Sequence, residues 1–277
     1  MIDFHSHIIP NIDDGSRSVE ETFNLLKEAQ EVGFEGIVLT SHYIEGYYET
    51  DAPERDIWVK AISDNLKTKG IKTNLYLGNE IYISDNMMNL LIDGKASTIN
   101  NSSYVLFEMP MNAEPMNLYD VIYSLEENKL IPVLAHPERY SFVQKEPELV
   151  YDLIQKGVLM QSNYGSILGQ YGEKAKMTVK KFLEPENLFQ IGSSRSWLDD
   201  QGYYMILVEF ASSGYSKGAS LNAGVSFLWE STESLNEMLS YDYECRVITS
   251  YVEYKNDDEA FQNGIEKLAK KALEKVD

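Results

Sequence analysis

Residues 2–7, Ile2-Asp3-Phe4-His5-Ser6-His7, decide how the rest of the chain is read. Residues 2–5 make a short first strand. Side chains alternate along an extended segment with period two, so His5 and His7 project from the same side. Two imidazoles on one side of a strand end make a bidentate metal site. Asp13 and Asp14 follow in the next loop, just ahead of Gly15.

Working outward, the chain has only four histidines, and the other two repeat the placement. His42 follows a strand predicted over 36–40, and His136 closes one predicted over 131–136. Glu80 and Glu108 end strands predicted over 74–80 and 104–108. A single histidine at a strand end is more often structural than a ligand. An unpaired buried carboxylate is expensive, which makes the two glutamates less ordinary. All six residues at the same end of successive strands argue for metal binding as the underlying design, with carboxylates bridging cations and imidazoles completing each shell.

The segments between these strands read as helices. Ser18 is an N-cap and Glu21 its capping-box partner. The helix they open presents Phe23, Leu26, Ala29 and Val32 at helical spacing and ends at Gly33. A second helix runs from Pro53 to Lys69, and others are predicted over 118–128 and 147–156, followed by a strand over 159–163. Strand and helix alternate, which gives an α/β fold built on a parallel sheet or barrel, with strand C-termini gathered on one face. Near residue 185 the texture changes. Residues 189–197 and 203–210 read as a hairpin with a polar turn, 220–229 and 241–251 as further strands, and 259–276 as an amphipathic helix. The expected organisation is therefore a first domain over 1–185 and an α+β module over 186–277.

Composition narrows the functional classes. The chain has 277 residues with 24 Lys and Arg against 44 Asp and Glu, a net charge of −20. Such a surface repels nucleic-acid backbones and anionic membranes. Cys245 is the single cysteine, so no internal disulfide can form, and its strand-like setting suits a packed thiol rather than a nucleophile. No segment is long and apolar enough to span a membrane, and residues 1–7 lack the features of a signal peptide. A cytoplasmic protein is the expectation, with no nucleic-acid partner and no membrane insertion. An oligomer is left open.

One further stretch carries charge to the same place. In His136-Pro137-Glu138-Arg139-Tyr140 a guanidinium stands beside a candidate ligand. It can fork onto two phosphate oxygens, or it can merely pair with Glu138. Arg17 is a second, weaker candidate for the same role.

Taken together, Phe4-His5-Ser6-His7, Asp13-Asp14-Gly15, Thr40-Ser41-His42, Gly78-Asn79-Glu80-Ile81-Tyr82, Phe107-Glu108 and Ala135-His136-Pro137-Glu138-Arg139-Tyr140 resemble the polymerase-and-histidinol-phosphatase (PHP) superfamily. Within it they are most similar to the bacterial manganese-dependent tyrosine-protein phosphatases of the capsular and exopolysaccharide type. The resemblance spans residues 1–185. It implies a distorted (β/α)7 TIM-like barrel and a cluster of two or three metal ions, manganese or iron. Carried over residue by residue, His5, His7 and Glu80 hold one metal, Glu80, Glu108 and His136 a second, and Asp14 and His42 a third. Arg139 binds the substrate phosphate, and Asp14 and His42 also belong to the catalytic set. The implied reaction is hydrolysis of protein phosphotyrosine by a metal-activated water. Its implied partner is a phosphotyrosine protein such as an autophosphorylating tyrosine kinase.

The family pattern ends with an Asp-x-His pair on a last strand. Here those positions fall on Ser194 and Ser196, and no histidine follows His136. Asp199 and Asp200 are most simply turn residues. The expectation is a barrel without its last strand, followed by the α+β module, which resembles a small domain family of unknown function. A fusion with a truncated phosphatase and a diverged enzyme with a two-metal core both fit. Weakened hydrolysis is one functional expectation. A binding or regulatory role and a small-metabolite phosphoesterase are the alternatives.

Overall fold

The computed structural model describes residues 2–31, 34–167, 169–182, 204–212 and 221–229. Along the chain, β1 (Ile2–Ser6) leads to α1 (Val19–Glu31), β2 (Gly36–Leu39), the two-residue β3 (His42–Tyr43) and α2 (Ala52–Leu66). Next come β4 (Asn74–Leu77), β5 (Glu80–Tyr82), α3 (Met87–Ile92), β6 (Tyr104–Glu108) and α4 (Leu118–Glu127). β7 (Ile131–Ala135), α5 (Ser141–Lys145), α6 (Leu149–Gln155), β8 (Leu159–Ser162), α7 (Tyr164–Ile167) and α8 (Glu173–Phe182) follow. β9 (Tyr204–Ser212) and β10 (Leu221–Trp229) are the last described elements.

The fold is mixed α/β. β1, β2 and β4 form one parallel sheet. A second sheet runs β3-β5-β6-β7-β8 in parallel and continues through β10 and β9, both joined antiparallel. The expected strands over 203–210 and 220–229 are thus present, and each is the other's partner. The expected partner strand over 189–197, the strand over 241–251 and the last helix lie outside the described residues.

Local chemistry explains the element ends. Ser18 Oγ accepts from Glu21 N–H at 3.1 Å and caps α1. The Glu21 carboxylate accepts from Arg17 N–H at 2.6 Å, one residue ahead of the usual capping-box partner. α1 then buries Phe23, Leu25, Leu26 and Ala29 against β2 residues Ile37 and Leu39. Asp51 caps α2 by accepting from Glu54 N–H.

The single strand expected over 74–80 is two strands in two sheets, which corrects the sequence reading. The break falls at Gly78-Asn79, where a Cβ on Gly78 would sit 2.7 Å from Ile99 Cδ1. Arg55, fully buried, donates through Nη1 to Gly78 O and through Nη2 to Ser97 Oγ. Asn79 Nδ2 donates to Ser41 O at 2.8 Å. These contacts end β4 and start β5 at Glu80, directly opposite His42.

The core of the second sheet packs Phe107, Leu134, Leu125 and Leu153, all fully buried, between strands and α4–α6. Burying such side chains contributes about 1.5–3 kcal/mol each. That rigid layer fixes the strand ends from which the site is built.

Candidate metal centre

The six residues singled out at strand ends converge on one cleft of about 840 Å³. His5 is in β1 and His7 just beyond it, and His42 opens β3. Glu80 opens β5, Glu108 closes β6, and His136 follows β7. Asp13, Asp14, Arg17 and Arg139 line the same cleft. His136 has φ +37° and ψ +55°, a left-handed backbone that a non-glycine residue adopts at a cost of about 1–2 kcal/mol. Such strain concentrates where a side chain must be aimed at a site.

Glu80 is the centre. Its Oε2 lies 3.0 Å from His5 Nε2, 3.1 Å from His7 Nε2 and 3.2 Å from His42 Nδ1. Its Oε1 lies 2.7 Å from His136 Nε2. His42 Nδ1 also meets Glu108 Oε1 at 2.8 Å. Asp14 is two-thirds exposed and reaches His42 Nε2 at 3.5 Å and His7 Nδ1 at 3.8 Å. Burial alone would raise the Glu80 pKa, but His5, His42 and His136 hold it well below the usual carboxylate range. Burial opposes charge on His7 and His42, yet Asp13 with Glu80, and Glu80 with Glu108, outweigh it and raise both pKa values. His136 goes the other way. Burial, helped by Arg139, lowers it to about 4, so it is neutral at physiological pH.

The donor chemistry fits a cation. Gln161 Oε1, an acceptor, lies 2.8 Å from His5 Nδ1, and Gln161 Nε2 is committed to Asn163 Oδ1. Asp13 Oδ2 lies 3.0 Å from His7 Nδ1. Both imidazoles are therefore held with Nδ1 as the donor, which turns Nε2 toward the cleft as the atom that would ligate a cation. Those two Nε2 atoms lie 3.0 Å apart, beside an anionic carboxylate. Two ring nitrogens at that distance share positive charge between them, a proton in the metal-free chain or a bound cation in its place. Among the described residues, three groups bring their ligand atoms close enough together to hold a cation: His5, His7 and Glu80; His42, Glu80 and Glu108; and His7, Asp14 and His42. The first is the set expected from the sequence. In the second, His42 stands where His136 was expected, while among the described residues His136 pairs with the Glu80 carboxylate.

A family described as capsular polysaccharide synthesis, CpsB/CapC, matches residues 1–197. This chain belongs to the CpsB/CapC family. It is 33% identical over 184 residues to CapC of Staphylococcus aureus, covering 66% of this chain and 72% of that one. It is 32% identical over 212 residues to the tyrosine-protein phosphatase CpsB of Streptococcus pneumoniae, covering 74% and 86%. A solved structure from work on YwqE of Bacillus subtilis and CpsB of Streptococcus pneumoniae, described as unique metal-dependent tyrosine phosphatases, superposes with a TM-score of 0.64. It is 29% identical, and the match covers 67% of this chain and 75% of that one.

Several residues around the cleft have contacts that the sequence did not assign. Asp13 binds His7, and it also accepts from His42 N–H at 3.0 Å and from Gly15 N–H at 3.0 Å. Its neighbour Asp14 drew the attention as a ligand. Gln161 and Asn163 are polar residues on a buried strand end, and that mismatch was the available signal. Glu138 turns away from Arg139. Its Oε1 accepts from Asn163 N–H at 2.9 Å and Ser166 Oγ at 2.6 Å. Arg139 instead lies over the Tyr171 ring. Tyr48, whose pKa is pushed up to about 12 by burial and Asp14, stacks on His42 at 6.0 Å. Ser194, Ser196, Asp199, Asp200 and Cys245 lie outside the described residues. Among the described residues, no helix is long and apolar enough to cross a membrane.

Proposed function

We propose that this chain is a metal-dependent protein-tyrosine phosphatase, built on a distorted (β/α)7 barrel over residues 1–185 that lacks its own last strand and is followed by an α+β module over 186–277, whose described strands β9 and β10 extend the same sheet. The observation that carries the reading is the convergence of His5, His7, His42, His136, Glu80 and Glu108 on one cleft that also holds the Arg139 guanidinium. His5, His7 and Glu80 would hold one metal, and Glu80 and Glu108, with His42 or His136, a second. Asp14 with His42 and His7 would complete a third. The hard carboxylates beside imidazoles suit manganese or iron.

A divalent cation bound there lowers the pKa of an attacking water and neutralises charge on the phosphoryl oxygens. The rest is the work of the protein's own groups. Arg139 would fork onto two phosphate oxygens and orient the ester. Asp13 and Gln161 keep the His7 and His5 rings in the tautomer that faces the cleft. A phenolate leaving group, with a pKa near 10, needs little help from an acid. The substrate would be a phosphotyrosine protein such as an autophosphorylating tyrosine kinase, met in the cytoplasm.

The test is hydrolysis of a phosphotyrosine peptide by the purified chain, with and without added manganese, beside a His136→Ala control and histidinol phosphate as competing substrate. Manganese-dependent release of phosphate from the peptide, lost in the control, is expected. Preferential turnover of histidinol phosphate would move the assignment to a small-metabolite phosphoesterase. Absence of turnover at every metal concentration would leave a binding or regulatory role.

A further inference from the structure

Arg139 Cζ lies 4.4 Å from the centroid of the Tyr171 ring. Among the described residues, no carboxylate forms an ion pair with this guanidinium, although Glu80, Glu108, Asp13 and Asp14 line the same cleft. That is unusual for an arginine in so acidic a chain, and it has a chemical consequence. A carboxylate partner would occupy the N–H donors and cancel the charge. The face of an aromatic ring attracts the cation while leaving its in-plane N–H fork available to another acceptor.

The ring is itself held in place. Tyr171 lies in the turn between α7 and α8, beside Gly172 at φ +92° and shortly after Gly169 at φ +82°. A Cβ on Gly165 would come within 2.9 Å of Tyr171 Cε2 and 2.7 Å of Gln170 Oε1. Gly165 thus provides the surface against which the Tyr171 ring lies. Its own backbone is ordinary for a helix, so an alanine there conflicts only through its methyl group.

Resting on the reading that Arg139 binds the phosphoryl group, we propose that Tyr171 is a positioning residue. It holds the guanidinium in the cleft by its ring face and keeps the N–H groups unoccupied for the anion. Gly165 sets the place of that ring.

The experiment uses the full chain loaded with manganese. Calorimetry measures binding of inorganic phosphate, and steady-state kinetics on p-nitrophenyl phosphate separate KM from kcat. Tyr171→Leu, which keeps bulk but removes the aromatic face, should weaken phosphate binding about two- to tenfold and raise KM by a similar factor, with kcat nearly unchanged. Tyr171→Phe should behave like the parent and serves as the folding control. Gly165→Ala should shift KM in the same direction as Tyr171→Leu. In an Arg139→Ala background, Tyr171→Leu should have no further effect. If Arg139→Ala weakens phosphate binding and Tyr171→Leu does not, the positioning role is overturned. If Tyr171→Leu weakens binding equally with and without Arg139, the ring acts independently and the inference also fails. If Arg139→Ala itself leaves phosphate binding intact, the assignment of Arg139 falls, and this one with it.

Discussion

Gln161 Oε1 and His5 Nδ1 meet at 2.8 Å, tying the end of β8 to β1 across 156 positions of sequence. The bond decides which nitrogen of His5 carries the proton. Gln161→Leu keeps volume but removes the acceptor, so His5 is free to place its proton on Nε2, where a ligand lone pair is needed. Partners of this kind typically govern metal affinity by about 10- to 100-fold. Titration of manganese into chelator-stripped protein, followed by electron paramagnetic resonance, should show a loss of that size. Unchanged affinity would mean that His5 is not a ligand or that its ring is not steered by Gln161.

Gly15 makes a sharper demand. A Cβ there would lie 1.9 Å from His7 O and 2.5 Å from His7 Cβ, with Ser16 N–H bonded to the same carbonyl at 2.9 Å. The obstacle is backbone, which has nowhere to move without carrying His7 and Asp13 along. Gly15→Ala should therefore cost about 3 kcal/mol of stability in denaturant unfolding and weaken manganese binding. A variant as stable as the parent, with intact metal affinity, would show that this loop relaxes freely.

The layout of the site was legible because it depends on strand ends, and strand ends are marked by runs of apolar residues. β6 spans the predicted 104–108, and β7 stops one residue short of His136. β4 and the start of β5 were merged because Leu75, Tyr76 and Leu77 read as one extended run leading into Glu80. The crossing at Gly78-Asn79 is enforced by Arg55, 23 residues away, and nothing local announces it. The same limit hid Gln161 and Tyr171. Their roles come from partners 156 and 32 positions distant, and periodicity reports only which face a side chain takes. Asp13 was a different case. The Asp-Asp-Gly run was plain, but two adjacent carboxylates leave unclear which one faces the cation, and the buried one turned inward to His7 and His42.

The titration of the histidines predicts a pH dependence for the chelator-stripped protein. The folded-state pKa values of His7 and His42 lie above the ordinary 6.5, held there against burial by Asp13, Glu80 and Glu108. The stability they contribute is fully present below that value and is lost as pH rises through their folded-state values. His136 is depressed to about 4, so its effect falls chiefly between pH 4 and 6.5, where stability rises with pH. Above pH 6.5 the stripped protein should therefore become steadily less stable. With manganese present the trend should reverse, because ligands must shed protons to bind metal. Thermal melts from pH 6.5 to 9, with and without manganese, test both halves. Parallel curves would mean that the metal does not replace those protons.

The family match runs to residue 197 and so includes Ser194 and Ser196, the positions onto which the resemblance would place an Asp-x-His pair. A neutral hydroxyl is a poor ligand where a carboxylate or imidazole is called for. Were residues 189–196 to take the place of the last family strand, Ser194 and Ser196 would leave one side of the cleft short of donors, although β10 is the strand that pairs with β8 in this structure. The double substitution Ser194→Asp and Ser196→His tests that placement directly. It should lower the manganese concentration needed for half-maximal turnover of a phosphotyrosine peptide by about tenfold or more, and each single change should give less than the pair. Donors far from the cluster have nothing to coordinate, so a variant that melts like the parent but gains neither affinity nor rate would remove residues 189–196 from the site. A gain abolished by His136→Ala would tie the restored pair to the same cluster.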